Sequence, residues 1–313
     1  MKNKVICAIL ALVLLCSLAS CRRVEPVNEK PSIVATNFAM FDFARAVAGD
    51  AADVMMLIPP GSESHDFEVR LADMTAISNA DLFVCVGGES EIGWVNAALT
   101  SIIDPPETIA AIQLVQTYEE ETVEGMAPSD EDEDGDETAA DEHCWTSFEN
   151  AVRIIEEIAE RLEDKFPEHA GTFRTNAENY IAELNGLKEE YRSLVDSAVR
   201  NTIVVADRFP FRYLAEEFDL EYHAAFSGCA SATEPPLSTV NFLIEKIREE
   251  EIPVIFTIEF SDGNTARAIA AETGCEILTL HSAHNVSKED YRAGVTYADI
   301  MRQNLEALRE ALN

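Results

Sequence analysis

Val54-Met55-Met56-Leu57-Ile58-Pro59-Pro60-Gly61-Ser62-Glu63-Ser64-His65-Asp66-Phe67 decides how the rest of the chain is read. The apolar run Val54 to Ile58 is a strand. Pro59 and Pro60 end it, because neither has an N–H to give to a sheet ladder, and Gly61 permits the reversal. The chain is therefore forced out of the sheet and delivers His65 at its edge. In α/β proteins that edge is where ligands bind, so His65 is the first candidate functional residue.

Outward from this stretch, strands alternate with helices. Strands are expected over residues 32–36, 53–58, 81–86 and 108–115, with helices over 38–48, 70–78 and 92–102 between them. Two long helices follow, 148–166 and 170–199. The strand–helix rhythm then restarts, with strands over 202–206, 221–226, 253–258 and 276–280. Such alternation means βαβ units and parallel sheets. A 30-residue helix is an oddity within one βαβ domain and suits a strut between two. The fold class expected is therefore α/β: two lobes, each a parallel sheet flanked by helices, joined by a long linker helix.

Composition narrows the class of partner. The 313 residues include 23 Lys and Arg against 58 Asp and Glu, a formal net charge of −35. That excess opposes binding to nucleic acid phosphates and anionic lipid surfaces, and it favours cations. Thirteen of the acidic residues fall in residues 119–142, which hold no Lys or Arg. The stretch reads as a disordered loop. At the other extreme, Lys2 and Lys4 precede an apolar run too short to span a membrane comfortably. Leu18-Ala19-Ser20-Cys21 then reads as a lipobox, with Cys21 acylated after cleavage. Cys85, Cys144, Cys229 and Cys275 remain in the mature chain, and their spacing does not choose a pairing.

The expected organisation is a signal peptide over 1–20, a lipid-anchored tether over 21–31 and a first lobe over 32–168. A linker helix over 169–199 and a second lobe over 200–313 complete it. The product is expected outside the cytoplasm, held at the cell membrane by its lipid and monomeric.

The histidines are His65, His143, His169, His223, His281 and His284. His65, Asp207, Glu259 and His281 each follow a strand, so topology puts them on the crevice face of the two sheets. Imidazoles with a carboxylate suit Zn²⁺; Mn²⁺ usually takes more oxygen. His284 is an alternative to His281 or an outer partner of the ligands. His169 and His223 read as ordinary surface or packing residues, and Trp145 and Tyr213 as core aromatics. HExxH, P-loop, GxSxG and GxGxxG patterns do not occur.

Several motifs together resemble the metal-binding lipoproteins of bacterial zinc/manganese ABC transporters. They are Ile58 to Phe67; Asn79-Ala80-Asp81-Leu82-Phe83-Val84 with Gly87 and Glu89; Asp141-Glu142-His143-Cys144-Trp145; Tyr213-Leu214-Ala215-Glu216-Glu217-Phe218-Asp219-Leu220; Glu272-Thr273-Gly274; and Met301 to Leu308. The resemblance covers nearly all of the mature chain. It implies that His65 and His143 ligate metal, that a His or Glu just before the Tyr213 segment is the third ligand, and that an Asp after Leu280 is the fourth. This chain departs at both of the latter. Arg208 stands at the third position, so Asp207 is the expected substitute, and His281 stands at the fourth. Zinc members often carry a His-rich loop where this chain is acidic. The ligand set expected is His65, His143, Asp207 and His281, with Glu259 and His284 as outer or alternative groups. The function implied is capture of Zn²⁺, less readily Mn²⁺, for an ABC transporter permease, and not catalysis. A metal-dependent hydrolase and a surface adhesion protein are the competing classes.

Overall fold

The computed structural model describes residues 30–62, 67–127, 140–228, 230 and 234–313. The expectations for the signal segment, Cys21, His65 and Cys229, and for the acidic run 128–139, lie outside the described residues.

Two four-stranded parallel sheets form the frame. In the first, β1 (Ser32–Ala35), β2 (Asp53–Met56), β3 (Leu82–Cys85) and β4 (Glu107–Ala110) lie in the order β2-β1-β3-β4. In the second, β5 (Thr202–Arg208), β6 (Glu221–Phe226), β7 (Val254–Thr257) and β8 (Glu276–Thr279) lie in the order β6-β5-β7-β8. Every pairing is parallel. Both sheets reverse strand order beside their first strand, and such reversals open a crevice at the carboxyl ends. The central strands are buried on both faces, Ile33, Val34 and Ala35 among them, as parallel sheets covered by helices require. The fourth strand is shorter than its apolar run suggests. After Ala110 the chain tightens into a 3₁₀ turn, Ala111–Leu114, with the Ile112 N–H reaching the Val86 carbonyl at 3.0 Å.

Helices α1 (Phe38–Ala48), α2 (Leu71–Ser78) and α3 (Glu89–Ser101) serve the first sheet. After it come α4 (Phe148–Lys165) and the 28-residue α5 (Ala170–Ser197), which is roughly 42 Å long at ~1.5 Å per residue. Its buried residues Phe173, Ala177, Tyr180, Leu184, Leu187, Tyr191 and Leu194 recur every three or four positions, one apolar stripe along its whole length. Helices α6 (Arg212–Phe218), α7 (Leu237–Glu249), α8 (Asn264–Thr273), α9 (Lys288–Ala293) and α10 (Tyr297–Leu312) complete the second half.

The stripe on α5 packs against α1 and α4 from the first half and α10 from the second. The strut is therefore not exposed between lobes: one apolar core runs from Ile33 to Leu312 and includes it. Buried polar contacts fasten the same seam. Tyr180 and the Tyr297 N–H both donate to Asp42 Oδ2, at 2.6 and 2.8 Å. Tyr191 donates to the Met301 carbonyl at 2.6 Å. Burial pushes the Asp42 carboxyl above the usual range, against the pull of Arg45 and these donors.

The ends of the acidic stretch are structured, contrary to expectation. Glu119 pairs with Ala140 in an antiparallel bridge. Met126 and Ala127 are buried, and the Ala127 N–H bonds to the Ala225 carbonyl at 2.9 Å. The few apolar residues at the ends, Val123, Met126 and Ala127, pack into the cores. Cys85, Cys144 and Cys275 are free thiols, and burial pushes the first two well above the ordinary thiol pKa. Among the described residues, no helix is long and apolar enough to cross a membrane.

Candidate metal centre

The crevice is built from loops at the strand ends. Leu57 and Ile58 prolong β2 by bonding to the Ala35 and Thr36 carbonyls at 2.8 and 3.0 Å. Gly61 then turns with φ +77°, a conformation that favours glycine, and its N–H bonds to the Val286 carbonyl at 2.8 Å. The Asn285 amide donates to the carbonyls of Pro59 and Ser62. The loop that leads to His65 is thus fastened to a loop of the second half.

His143 enters from the other side. It precedes a 3₁₀ turn, Cys144–Thr146, and is 1% exposed. The Asp141 carboxylate accepts from its backbone N–H at 2.8 Å and faces its Nδ1 at 3.1 Å. With Nδ1–H donating to Asp141, the lone pair of the neutral ring lies on Nε2, the usual arrangement of an oriented metal-binding imidazole. Burial works against the imidazolium, but Asp141, then Glu142 and Glu120, outweigh it and raise the pKa of His143 above its ordinary value.

Opposite His143 stands His284. The two ring centroids are 5.6 Å apart at an interplanar angle of 87°, and both rings rest on Trp145, at 5.3 and 5.0 Å. Trp145 is itself fixed by its Nε1–H, which donates to the Ser282 carbonyl at 2.8 Å. His143 and His284 line a cavity of about 30 Å³, whose wall also includes Ser62, Arg208, Glu259 and Asn285. That is room for an ion with a small ligand or a few waters.

Two expected ligands are not in this wall. Asp207 accepts from the Ile258 N–H at 3.2 Å and the Ser261 hydroxyl at 2.8 Å, and Arg208 lines the cavity in its place. Neighbours on a strand point to opposite faces, and the pairing register with β6 shifts between Val205 and Arg208. Bringing Arg208 to the cavity therefore turns Asp207 away. His281 is likewise displaced by His284. Its Nδ1 accepts the Ala283 N–H at 2.9 Å, so the neutral ring carries its proton on Nε2 and has no second lone pair for a metal. Ala283 makes the exchange possible by taking φ +58°, which swings the next residue back towards the crevice. Glu259 is in the wall, but both of its oxygens accept from Ser282, one from its N–H at 2.8 Å and the other from its hydroxyl.

His169 and His223 sit apart. His169 precedes α5 and packs on Phe173; His223 lies in β6, 3.5 Å from Glu250. Among the described residues no group of three or more His, Cys, Asp or Glu side chains comes together closely enough to hold a metal. The structure brings together His143 and His284, with Glu259 beside them.

Gly228 closes the roof. A Cβ there would lie 3.0 Å from Asp141 Oδ2 and 3.3 Å from His143 Nδ1. Asp141 and Asn285, which orient and fasten the centre, were not expected to act. Asp141 falls within the quoted motif around His143, whereas the only signal of Asn285 is its position after His284.

The profile of the family described as "ZnuA: Zinc-uptake complex component A periplasmic" matches residues 33–311. The chain belongs to the ZnuA family. It is 30% identical over 96% of its length to the zinc-binding lipoprotein AdcA of Streptococcus pneumoniae, of which it spans only 60%. It is 29% identical to the high-affinity zinc uptake system protein ZnuA of Bacillus subtilis, with 98% of this chain and 96% of that one aligned. Among solved structures, the Zn(II)-bound ZnuA-like domain of S. pneumoniae AdcA superposes with a TM-score of 0.74 at 28% identity, over 90% of this chain and 99% of the other. The two-sheet α/β architecture is the fold of these ZnuA-like structures.

Proposed function

We propose that this protein is an extracytoplasmic receptor that captures Zn²⁺ between its two sheets and delivers it to the permease of an ABC importer. Cys21 is the lipid-bearing residue that holds it at the membrane, and the working form is a monomer. The observation that carries the reading is the His143–His284 pair: two imidazoles from opposite halves of the chain, one oriented by Asp141, meeting in an ion-sized cavity. His65, in the motif that resembles the family's first ligand, supplies a third nitrogen. Asn285 supports this role, because it anchors the loop that leads there.

Nitrogen donors favour Zn²⁺ over Mn²⁺, which prefers an oxygen-rich shell. Two relatives are named for zinc binding or zinc uptake, which supports the same choice. The test is titration of the metal-stripped chain against a competing chelator. A single tight zinc site is expected, with Mn²⁺ at least 100-fold weaker. His143→Ala and His284→Ala should each lose the tight site while keeping the wild-type fold. Unchanged zinc affinity in both variants would refute the reading.

A further inference from the structure

We infer that Gly88 and Ser90, at the start of α3, are positioning residues for the metal: they seat the Glu142 side chain and so fix the backbone from which His143 reaches the cavity. The inference rests on the cavity being a zinc site and names what holds one of its ligands in place.

The turn that carries His143 is gripped from two sides. From the second half, the Tyr213 hydroxyl donates to the Asp141 carbonyl at 2.6 Å and the Tyr297 hydroxyl to the Trp145 carbonyl at 2.7 Å. The Trp145 Nε1–H reaches back to the Ser282 carbonyl. From the first half, the Ser90 N–H and hydroxyl both donate to Glu142 Oε2, at 3.2 and 2.8 Å. Glu142 immediately precedes His143 and is 2% exposed.

Gly88 makes this seat possible. It precedes α3 with φ −77° and ψ 178°, an extended conformation that any residue can adopt. The backbone therefore does not require glycine, but the space does. A Cβ on residue 88 would overlap both Oε2 and Cβ of Glu142. A new rotamer could move Oε2. It could not move Cβ, which is fixed to the backbone. Any side chain at 88 must therefore push residue 142 itself, and the His143 backbone with it.

The carboxylate is an expensive way to fill that seat. Glu142 Oε1 is buried with no hydrogen-bond partner among the described residues. Glu91, a second buried carboxyl, stands near enough that burial and then the Glu142 charge both raise its pKa. An apolar side chain of similar size would avoid both penalties. It would lose the paired donors of Ser90, which bind a charged acceptor strongly and directionally. Those bonds tie residue 142 to the start of a helix, and a ligand's neighbours must be held this firmly to keep the ligand in register.

The experiment uses the metal-stripped full chain and three readouts. Chelator competition gives zinc affinity, the visible spectrum of the Co²⁺-loaded chain reports ligand geometry, and urea unfolding without metal gives stability. Glu142→Ala should weaken zinc binding about tenfold and change the Co²⁺ spectrum. Ser90→Ala, which removes one of the two donors, should weaken it about fivefold. Glu142→Gln keeps an acceptor for both donors, so it should hold the wild-type spectrum and bind zinc within about twofold of wild type. Gly88→Ala should displace the turn and lose the most affinity; the other three variants decide the matter if it does not fold. Glu142→Gln as weak as Glu142→Ala would make charge the cause and overturns the inference. So does Glu142→Ala with lower stability but wild-type affinity and spectrum. Both of those results leave the receptor reading standing. Wild type without a tight zinc site overturns both.

Discussion

Asn285 ties the two halves of the crevice together: its side-chain amide donates to the Pro59 carbonyl at 2.9 Å and to the Ser62 carbonyl at 2.8 Å. The residue is 2% exposed, so these bonds are shielded from water. Replacement by Ala should leave both carbonyls without this donor, at a cost of about 1–3 kcal/mol in stability. Because the loop leading to His65 loses its anchor, zinc affinity should fall about tenfold, or about 1.4 kcal/mol. Urea unfolding of the metal-free chain and zinc titration measure the two effects. A variant that is less stable but binds zinc normally would show the clasp to be structural only.

Asp141 should set both the strength and the pH range of metal binding. It holds His143 through its backbone N–H and through Nδ1. Asp141→Asn keeps the shape, removes the charge, and should weaken zinc binding about 10–100-fold. The sign of the pH effect follows from the raised pKa of His143. In the metal-free protein the protonated ring is stabilised by Asp141. That contribution is complete below the unfolded-state pKa and is lost as pH rises through the higher folded value. Zinc needs the deprotonated ring, so its affinity should drop as pH falls through that folded value. In Asp141→Asn the midpoint should move to lower pH, as seen in zinc titrations between about pH 5 and 8.

Glu91 gives a second, independent titration. It lies behind the site at the start of α3 and accepts from the Val86 and Gly87 N–H groups at 2.8 and 3.1 Å. Burial lifts its carboxyl from the ordinary 4.5 to about 7, against the pull of Thr36 and those N–H groups. The folded state therefore holds this proton more tightly than the unfolded state. Stability from this group falls as pH rises from about 4.5 to about 7, by up to about 3 kcal/mol. Glu91→Gln keeps an acceptor and removes the charge. Urea midpoints should show a flatter pH profile across that window, with the variant the more stable at pH 7.5. Parallel profiles for the two proteins would refute the assignment.

How much of this was legible in the sequence differs by level. The parallel α/β frame and the long helix were plain, because apolar runs and 3–4 spacing are local signals. The stripe from Phe173 to Leu194 is one of them. The shared core was not, since nothing local says that the same stripe also covers α10. At the site, the strand-end rule brought Glu259 to notice, and the resemblance carried by Asp141 to Trp145 brought His143. The rule could not choose between Asp207 and Arg208, nor between His281 and His284. Those choices hang on single backbone events, the register shift in β5 and the positive φ of Ala283. Neither leaves a periodic trace. The buried ends of the acidic stretch were masked by the charge between them.

The described ends of the acidic stretch include groups that build the candidate metal site. Asp141 orients His143, and Glu142 takes the Ser90 N–H and hydroxyl at 3.2 and 2.8 Å. Ala127 and Glu119 are fixed to Ala225 and Ala140. Removing all of residues 119–142 would therefore dismantle the centre, whatever the acidic middle does. The informative change replaces residues 128–139 alone with a Gly/Ser linker of equal length, which removes seven carboxylates. Equilibrium zinc affinity should stay within about twofold, because the described contacts that orient His143 come from Asp141, outside the replaced residues. At low ionic strength the zinc association rate should fall, since an acidic surface steers cations. Stopped-flow mixing at two salt concentrations measures this. An equilibrium loss of tenfold or more would place carboxylates of the acidic run within the binding site itself.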